Sequence, residues 1–259
     1  TSVSGSGGSA VVVYDIPVAS ADSASRGLKV LWALLEAGKP FDFKATYPRQ
    51  NRVPPEFPGL NPIGQVPLIA CDGGLVLSEA SAIIVYVAKK WAPALYPFPS
   101  PEEQARADRL LYFATTTLED VCLKLIFTHG KVSLEYYTTE PHSAECFQWG
   151  CRLWRERVLP ATATFLGDQQ YALGGDFTVV DIALAYPLLY MERMGFFEEG
   201  YSGQLPCGND ADAGGPYTSE QSRHADTVKA YLRRAIDRPA FREALAYGDG
   251  VLAGESSRS

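Results

Sequence analysis

Apolar residues follow two different rhythms along this chain, and the change falls near residue 93. Before it they come as short runs. Ala10 to Tyr14 is a continuous apolar stretch and predicts a buried strand, helical spacing follows from about Ser25 to Ala37, and Phe41 to Thr46 predicts a second strand. Gly38-Lys39-Pro40 supplies the Gly-then-Pro stop that ends the helix. Tyr47 to Gly64 is rich in proline and predicts a loop. It leads into a hairpin, with apolar runs on either side of an Asp72-Gly73-Gly74 turn, and then a helix over Ala80 to Trp91.

After residue 93 the rhythm is almost entirely helical. Pro93 to Pro101 holds four prolines in nine residues and predicts a linker. Glu102 to about Phe127 predicts one long helix, with Leu110, Leu111, Leu118, Val121 and Leu125 at helical spacing, and Ser143 to Leu166 predicts a second. Thr178 and Asp181 stand as an N-cap and third-position acid ahead of a buried helix. Gly200 to Gly215 predicts a surface loop, about Ala225 to Ile236 another helix, and Pro239 to Leu245 a short final one. Strand-helix-strand, loop, strand-strand-helix is the order of a thioredoxin-like α/β domain, followed here by an all-helical domain. The expected boundaries are a tail over 1–9, the α/β domain over 10–92, the linker over 93–101 and the all-α domain over 102–259.

Composition narrows the chemistry. At 259 residues, 46% apolar and 20% charged, the chain can bury a sizeable core. A net charge of −7 argues against nucleic acid or an anionic membrane surface as partner, since both select clustered Lys and Arg. No run approaches the eighteen or so apolar residues of a spanning helix. Five cysteines without Cys-x-x-Cys spacing fit reduced intracellular thiols, and with three scattered histidines they predict no metal site; the expected compartment is the cytoplasm, or an organelle after removal of a targeting segment. Gly5-Ser6-Gly7-Gly8-Ser9-Ala10 matches a dinucleotide fingerprint nominally, but it precedes the first strand where the mechanism needs it to follow one.

The segment from Gln65 to Ile83 carries the most chemistry. Pro67 cannot donate to a ladder, so the backbone of Val66 is left able to pair with a ligand as another strand would, and a cis Val66-Pro67 bond suits that edge. The helix start near Ser78 to Ser81 offers N–H groups to a carboxylate, while Glu79 can receive an ammonium group. Together these groups fit the α-amino acid end of a small peptide. The alternative reading is a hairpin and a capped helix, with Ser78 as N-cap and Glu79 as a first-turn acid.

Asn61-Pro62-Ile63-Gly64-Gln65-Val66-Pro67 through Glu79-Ala80-Ser81-Ala82-Ile83-Ile84-Val85-Tyr86 resembles the glutathione-binding core of the soluble glutathione S-transferases. Phe177 to Ile182 resembles the family's capping box, and Asp237 to Phe241 its closing helix. The resemblance runs from about Val11 to Gly248. It implies that Val66 pairs with the cysteinyl part of glutathione, that Pro67 is a cis-proline and that Gln65 reaches the γ-glutamyl or glycyl end. It implies further that Glu79 binds the γ-glutamyl ammonium and position 80 its carboxylate. The family usually has Ser where this chain has Ala80, and one lost bond to a charged group weakens binding by roughly 1.5–3 kcal/mol.

A cysteinyl thiol of pKa about 8.5 must fall by about two units, roughly 2.7 kcal/mol, to be mostly ionised at neutral pH. A hydroxyl or arginine at a helix N-terminus supplies such a shift, which makes Ser23, Ser25 and Arg26 the candidates. Counting back from Val30, Ala24 occupies the position of the serine in many serine-type members. The Ser25-Arg26 pair resembles bacterial members with Ser-Arg at this helix start, and Tyr14 resembles the tyrosine of other classes, so the class stays unassigned. Helix capping, surface charge and core packing are the competing roles of these residues.

The reading that follows is a detoxification-type transferase whose first domain activates glutathione for attack on a small hydrophobic electrophile. Its pocket is expected between the start of the first helix and the long helix, with Tyr112, Phe113 and Thr116 as candidates. A specialised glutathione-dependent peroxidase, etherase, isomerase or dehalogenase would use the same thiolate, and a non-catalytic binding module would keep the fold without it. The resemblance also implies a homodimer.

Overall fold

The computed structural model of the chain describes residues 10–17, 25–129, 143–198 and 214–256. The N-terminal tract, Ser23 and residues 200–213 of the expected surface loop lie outside the described residues. The chain divides into two units, one of residues before Ala94 together with the segment from Pro239 onward, the other spanning Ala94–Arg238.

The first unit is built on a four-stranded sheet in the order β2-β1-β3-β4. β1 (Val11–Asp15) lies parallel to β2 (Asp42–Ala45) and antiparallel to β3 (Leu68–Cys71), which pairs antiparallel with β4 (Val76–Ser78). A parallel neighbour needs a crossover, and α1 (Gly27–Glu36) provides it. α1 buries Leu28, Val30, Leu31, Trp32 and Leu34 against α3 (Ala80–Trp91) and the last helix, α9 (Pro239–Ser256). Phe241 meets Trp32 edge-on at 4.8 Å between ring centroids, and Tyr247 packs on Phe41 at 5.1 Å. These contacts group α9 with the sheet rather than with the helices that precede it, and it runs on well past Leu245.

Alternation along β1 sends neighbouring side chains to opposite faces. Tyr14 takes the face away from α1, where it clusters with Phe57 and Leu68. The proline-rich stretch expected as loop therefore carries structure: a 3₁₀ turn at Pro48–Gln50 and the short α2 (Phe57–Leu60), which places Phe57 in that cluster. The Tyr14 hydroxyl donates to Glu56 Oε1 at 3.0 Å, and Lys44 pairs with the same carboxylate.

The second unit opens with α4 (Pro101–Tyr112), capped by a reciprocal Ser100/Glu103 box with Pro at its start. The continuous helix expected to about Phe127 changes its winding, since Phe113–Leu118 and Asp120–Phe127 are π-helical. The next long segment changes in the same way, from α5 (Ala144–Leu153) through a π-helical turn at Trp154–Val158 to α6 (Leu159–Leu166). Gly150 lies where these helices touch, and a Cβ there would come within 2.7 Å of Leu125 Cβ. α7 (Val179–Arg193) is buried continuously from Val179 to Met191 and forms the centre of this unit, flanked by α8 (Ser219–Ile236). The Thr178/Asp181 capping box starts α7 as its sequence predicts.

Candidate functional site

The hairpin and the start of α3 form one continuous feature. β3 and β4 pair Leu68 with Ser78, so Val66 and Pro67 lead into one strand of the pair while Glu79 and Ala80 follow the other. The Val66–Pro67 bond is cis. Val66 lies two residues before β3, half-buried, with its backbone outside the ladder. Asn61, 4% exposed, braces the loop that delivers it, because its Nδ2 donates to the Gln65 carbonyl at 2.6 Å and its Oδ1 accepts from the Ile63 N–H at 3.2 Å. Gln65 itself is exposed.

Ser78 is not the helix cap. Pairing with Leu68 holds it in β4, and the N-cap position falls to Glu79, which has φ 68° and ψ 105° and makes no capping bond through its side chain. A non-glycine residue in that region costs on the order of 1–3 kcal/mol, and such strain gathers at functional positions. The consequence is an exposed carboxylate held beside the uncapped first turn of α3. Ala80 is 5% exposed, and the buried Ser81 Oγ has no hydrogen-bond partner.

The second feature is at the start of α1. Ser25, 6% exposed, donates through Oγ to Asp15 Oδ1 at 2.7 Å and accepts from the Gly27 N–H at 3.2 Å. Its carbonyl accepts from Leu28 N–H at 2.9 Å, so the residue anchors the first turn. Arg26 occupies the N-cap position and is exposed. Asp15 is fully buried, and burial pushes its carboxyl up to about 7 against the opposing pull of the Ser25 hydroxyl and the Ile16 N–H. Tyr14 is committed elsewhere: burial, then its bond to Glu56, raises its phenol, and it faces the Phe57 cluster.

In the helical unit Thr116 lines a cleft of about 440 Å³ together with Asp120, Lys124, Trp149 and Arg157. The other two pocket candidates are not among its lining residues. Tyr112 is 67% exposed, and Phe113 packs edge-on against Phe165 at 5.1 Å. Sequence reasoning passed over Asp15, Gly27 and Asn61. A polar residue closing an apolar run, as Asp15 closes Val11 to Tyr14, is the signal that could have found the first. Among the described residues no group of three or more His, Cys, Asp or Glu side chains is arranged to hold a metal ion, and no helix is long and apolar enough to cross a membrane.

Residues 25–90 match the family model described as glutathione S-transferase, N-terminal domain. Glutathione S-transferase 3 of Schizosaccharomyces pombe is 24% identical over 229 residues, covering 84% of this chain and 82% of that protein. Glutathione S-transferase D7 of Drosophila melanogaster is 30% identical over 152 residues, which is 56% of this chain and 61% of that one. Among solved structures, the theta class glutathione S-transferase of Xanthomonas axonopodis pv. citri, with glutathione bound, aligns with a TM-score of 0.64 at 26% identity, over 91% of this chain and 96% of that one. Glutathione transferase F2 of Populus trichocarpa aligns with a TM-score of 0.69 over 93% and 99% of the two chains, and at 20% identity it speaks to the fold alone.

Proposed function

Because the chain belongs to the soluble glutathione S-transferase family, we propose that it binds glutathione along Val66 and the start of α3, and ionises the thiol beside the start of α1 for attack on a small hydrophobic electrophile. The observation that carries this reading is Glu79, exposed and at positive φ in the N-cap position of α3, with no capping bond from its side chain. An acid beside free N–H groups is complementary to the ammonium and carboxylate of a γ-glutamyl end. Val66 supplies backbone pairing to the cysteinyl part, and Gln65 is exposed at the same edge. At position 80 the backbone N–H serves without a side-chain hydroxyl.

The sulfur then lies near Arg26, whose guanidinium, with the positive end of α1, favours the thiolate. Ser25 is the second candidate, subject to the direction of its hydroxyl hydrogen. Ser23 stays a candidate from sequence. For the electrophile, Tyr112, Phe113 and Thr116 remain the candidates, Thr116 within the cleft of the helical unit. A cytoplasmic homodimer goes with this reading.

Calorimetric titration with glutathione tests the binding half. Wild type binds, Glu79→Gln weakens binding roughly tenfold or more, and Ala80→Ser strengthens it by about tenfold or more. No binding at millimolar glutathione sinks the reading and turns the search to protein partners.

A further inference from the structure

Behind the start of α1 is a carboxylate that the reading above does not use. Asp15 closes β1, is 0% exposed, and has an Oδ2 with no hydrogen-bond partner. It presses so closely on α1 that a Cβ at position 27 would fall 1.6 Å from Oδ2, so only glycine fits there. Its Oδ1 takes the hydrogen of Ser25 Oγ, while the Gly27 N–H points at the same Oγ. A serine hydroxyl has one hydrogen. With that hydrogen committed to Asp15, Ser25 offers a thiolate nothing but lone pairs. A protonated Asp15 reverses the bond, because the carboxyl can donate to Ser25 Oγ and release the serine hydrogen toward another acceptor.

We propose that Asp15 is a positioning residue for the thiol chemistry, its protonation state deciding whether the Ser25 hydroxyl hydrogen turns into the protein or toward the glutathione sulfur. The proposal rests on the thiol-activating reading. On α1, Ser25 acts on the carboxyl directly; of the two cations that follow it, Arg26 is exposed and Lys29 is buried, and both have interactions of their own. Just after β2, the Thr46 N–H binds the Asp15 carbonyl at 2.9 Å, and on β2 Lys44 turns to the other face with Tyr14 and Glu56. On β3, Cys71 pairs with Val11 at the far end of β1. Burial brings the carboxyl up to about 7, so the switch works around neutrality.

The test is a pH titration of the ultraviolet thiolate absorbance of bound glutathione on the full chain, for wild type, Asp15→Asn, Ser25→Ala and the double variant, with affinity measured by calorimetry in parallel. Wild type is expected to give a coupled, two-step curve. Asp15→Asn cannot ionise and gives a single-step curve whose midpoint is displaced by about one pH unit, a tenfold change in thiol ionisation. The double variant matches Ser25→Ala. The proposal is overturned if Asp15→Asn superimposes on wild type, or if it shifts the midpoint equally when Ser25 is absent. Should Asp15→Asn fail to fold, Ser25→Ala decides: loss of the second step supports the proposal and its persistence overturns it. Absence of calorimetric binding by wild type is a separate result, and it defeats the glutathione reading itself.

Discussion

Asp15 in the sheet unit and Asp181 in the helical unit are both withdrawn from solvent, and they are held in opposite ways. Asp181 accepts four hydrogen bonds: Ala172 N–H at 2.8 Å and Tyr231 O–H at 2.9 Å on Oδ1, Thr178 N–H at 2.8 Å and Thr178 O–H at 3.1 Å on Oδ2. Asp15 accepts one side-chain bond, and its second oxygen has no partner. A buried acid with every lone pair engaged ties elements together, here a loop, the first turn of α7 and α8. One left partly unsatisfied stores a cost that structure alone does not explain. The difference separates an anchor from a group poised to change state.

The largest way to sharpen the contrast is Asp181→Asn. An amide cannot accept from all four donors, and each buried donor left unsatisfied costs about 1–3 kcal/mol, so urea unfolding should report a loss of roughly 3–5 kcal/mol. Asp15→Asn at pH 8 should lose no stability.

The next test is pH. The Asp15 carboxyl lies higher in the folded protein, near 7, than its ordinary 3.8, so the folded state keeps a proton that the unfolded chain has lost. Its contribution is therefore whole below about pH 4 and is withdrawn as pH rises to about 7, at up to about 1.4 kcal/mol per pH unit. Burial raises Asp181 in the same direction, which leaves a common slope in both proteins. Asp15→Asn should flatten the fall between pH 4 and 7 relative to wild type. Parallel stability profiles would place Asp15 with Asp181 as an ordinary anchor.

A steric test is Gly27→Ala. Alanine usually stabilises a helix position relative to glycine by up to about 1 kcal/mol, but here the methyl group meets Asp15 Oδ2 at 1.6 Å. Melting curves should therefore show a net loss of about 1–2 kcal/mol, and combining it with Asp15→Ala should recover part of that loss rather than add to it. Strict additivity would mean that the carboxylate and the helix do not press on one another.

What could be read from the chain follows the range of the forces involved. α3 spans Ala80–Trp91 as its periodicity predicts, and the Thr178/Asp181 box starts α7, because both signals lie within one turn of chain. The cis bond before Pro67 belongs to the same class, since only proline makes it common. Ser78 was misleading because a cap is chosen by geometry as well as residue type, and its pairing with Leu68 withdraws it. The π-helical windings of 113–127 and 154–158 have no local code. One of them, 120–127, meets the helix of Gly150 at Leu125 and Ile126, a contact between distant segments. The Asp15 to Ser25 bond was hidden for a similar reason, since it spans ten residues and requires a glycine two positions after the serine.

The first measurement to make on the proposed ionisation of bound glutathione beside the start of α1 is its thiolate absorbance as pH is varied through neutrality. A wild-type midpoint well below the free-thiol value of about 8.5, with that shift reduced in Arg26→Ala, is expected. Glutathione that binds and still titrates near 8.5 would sink the proposal.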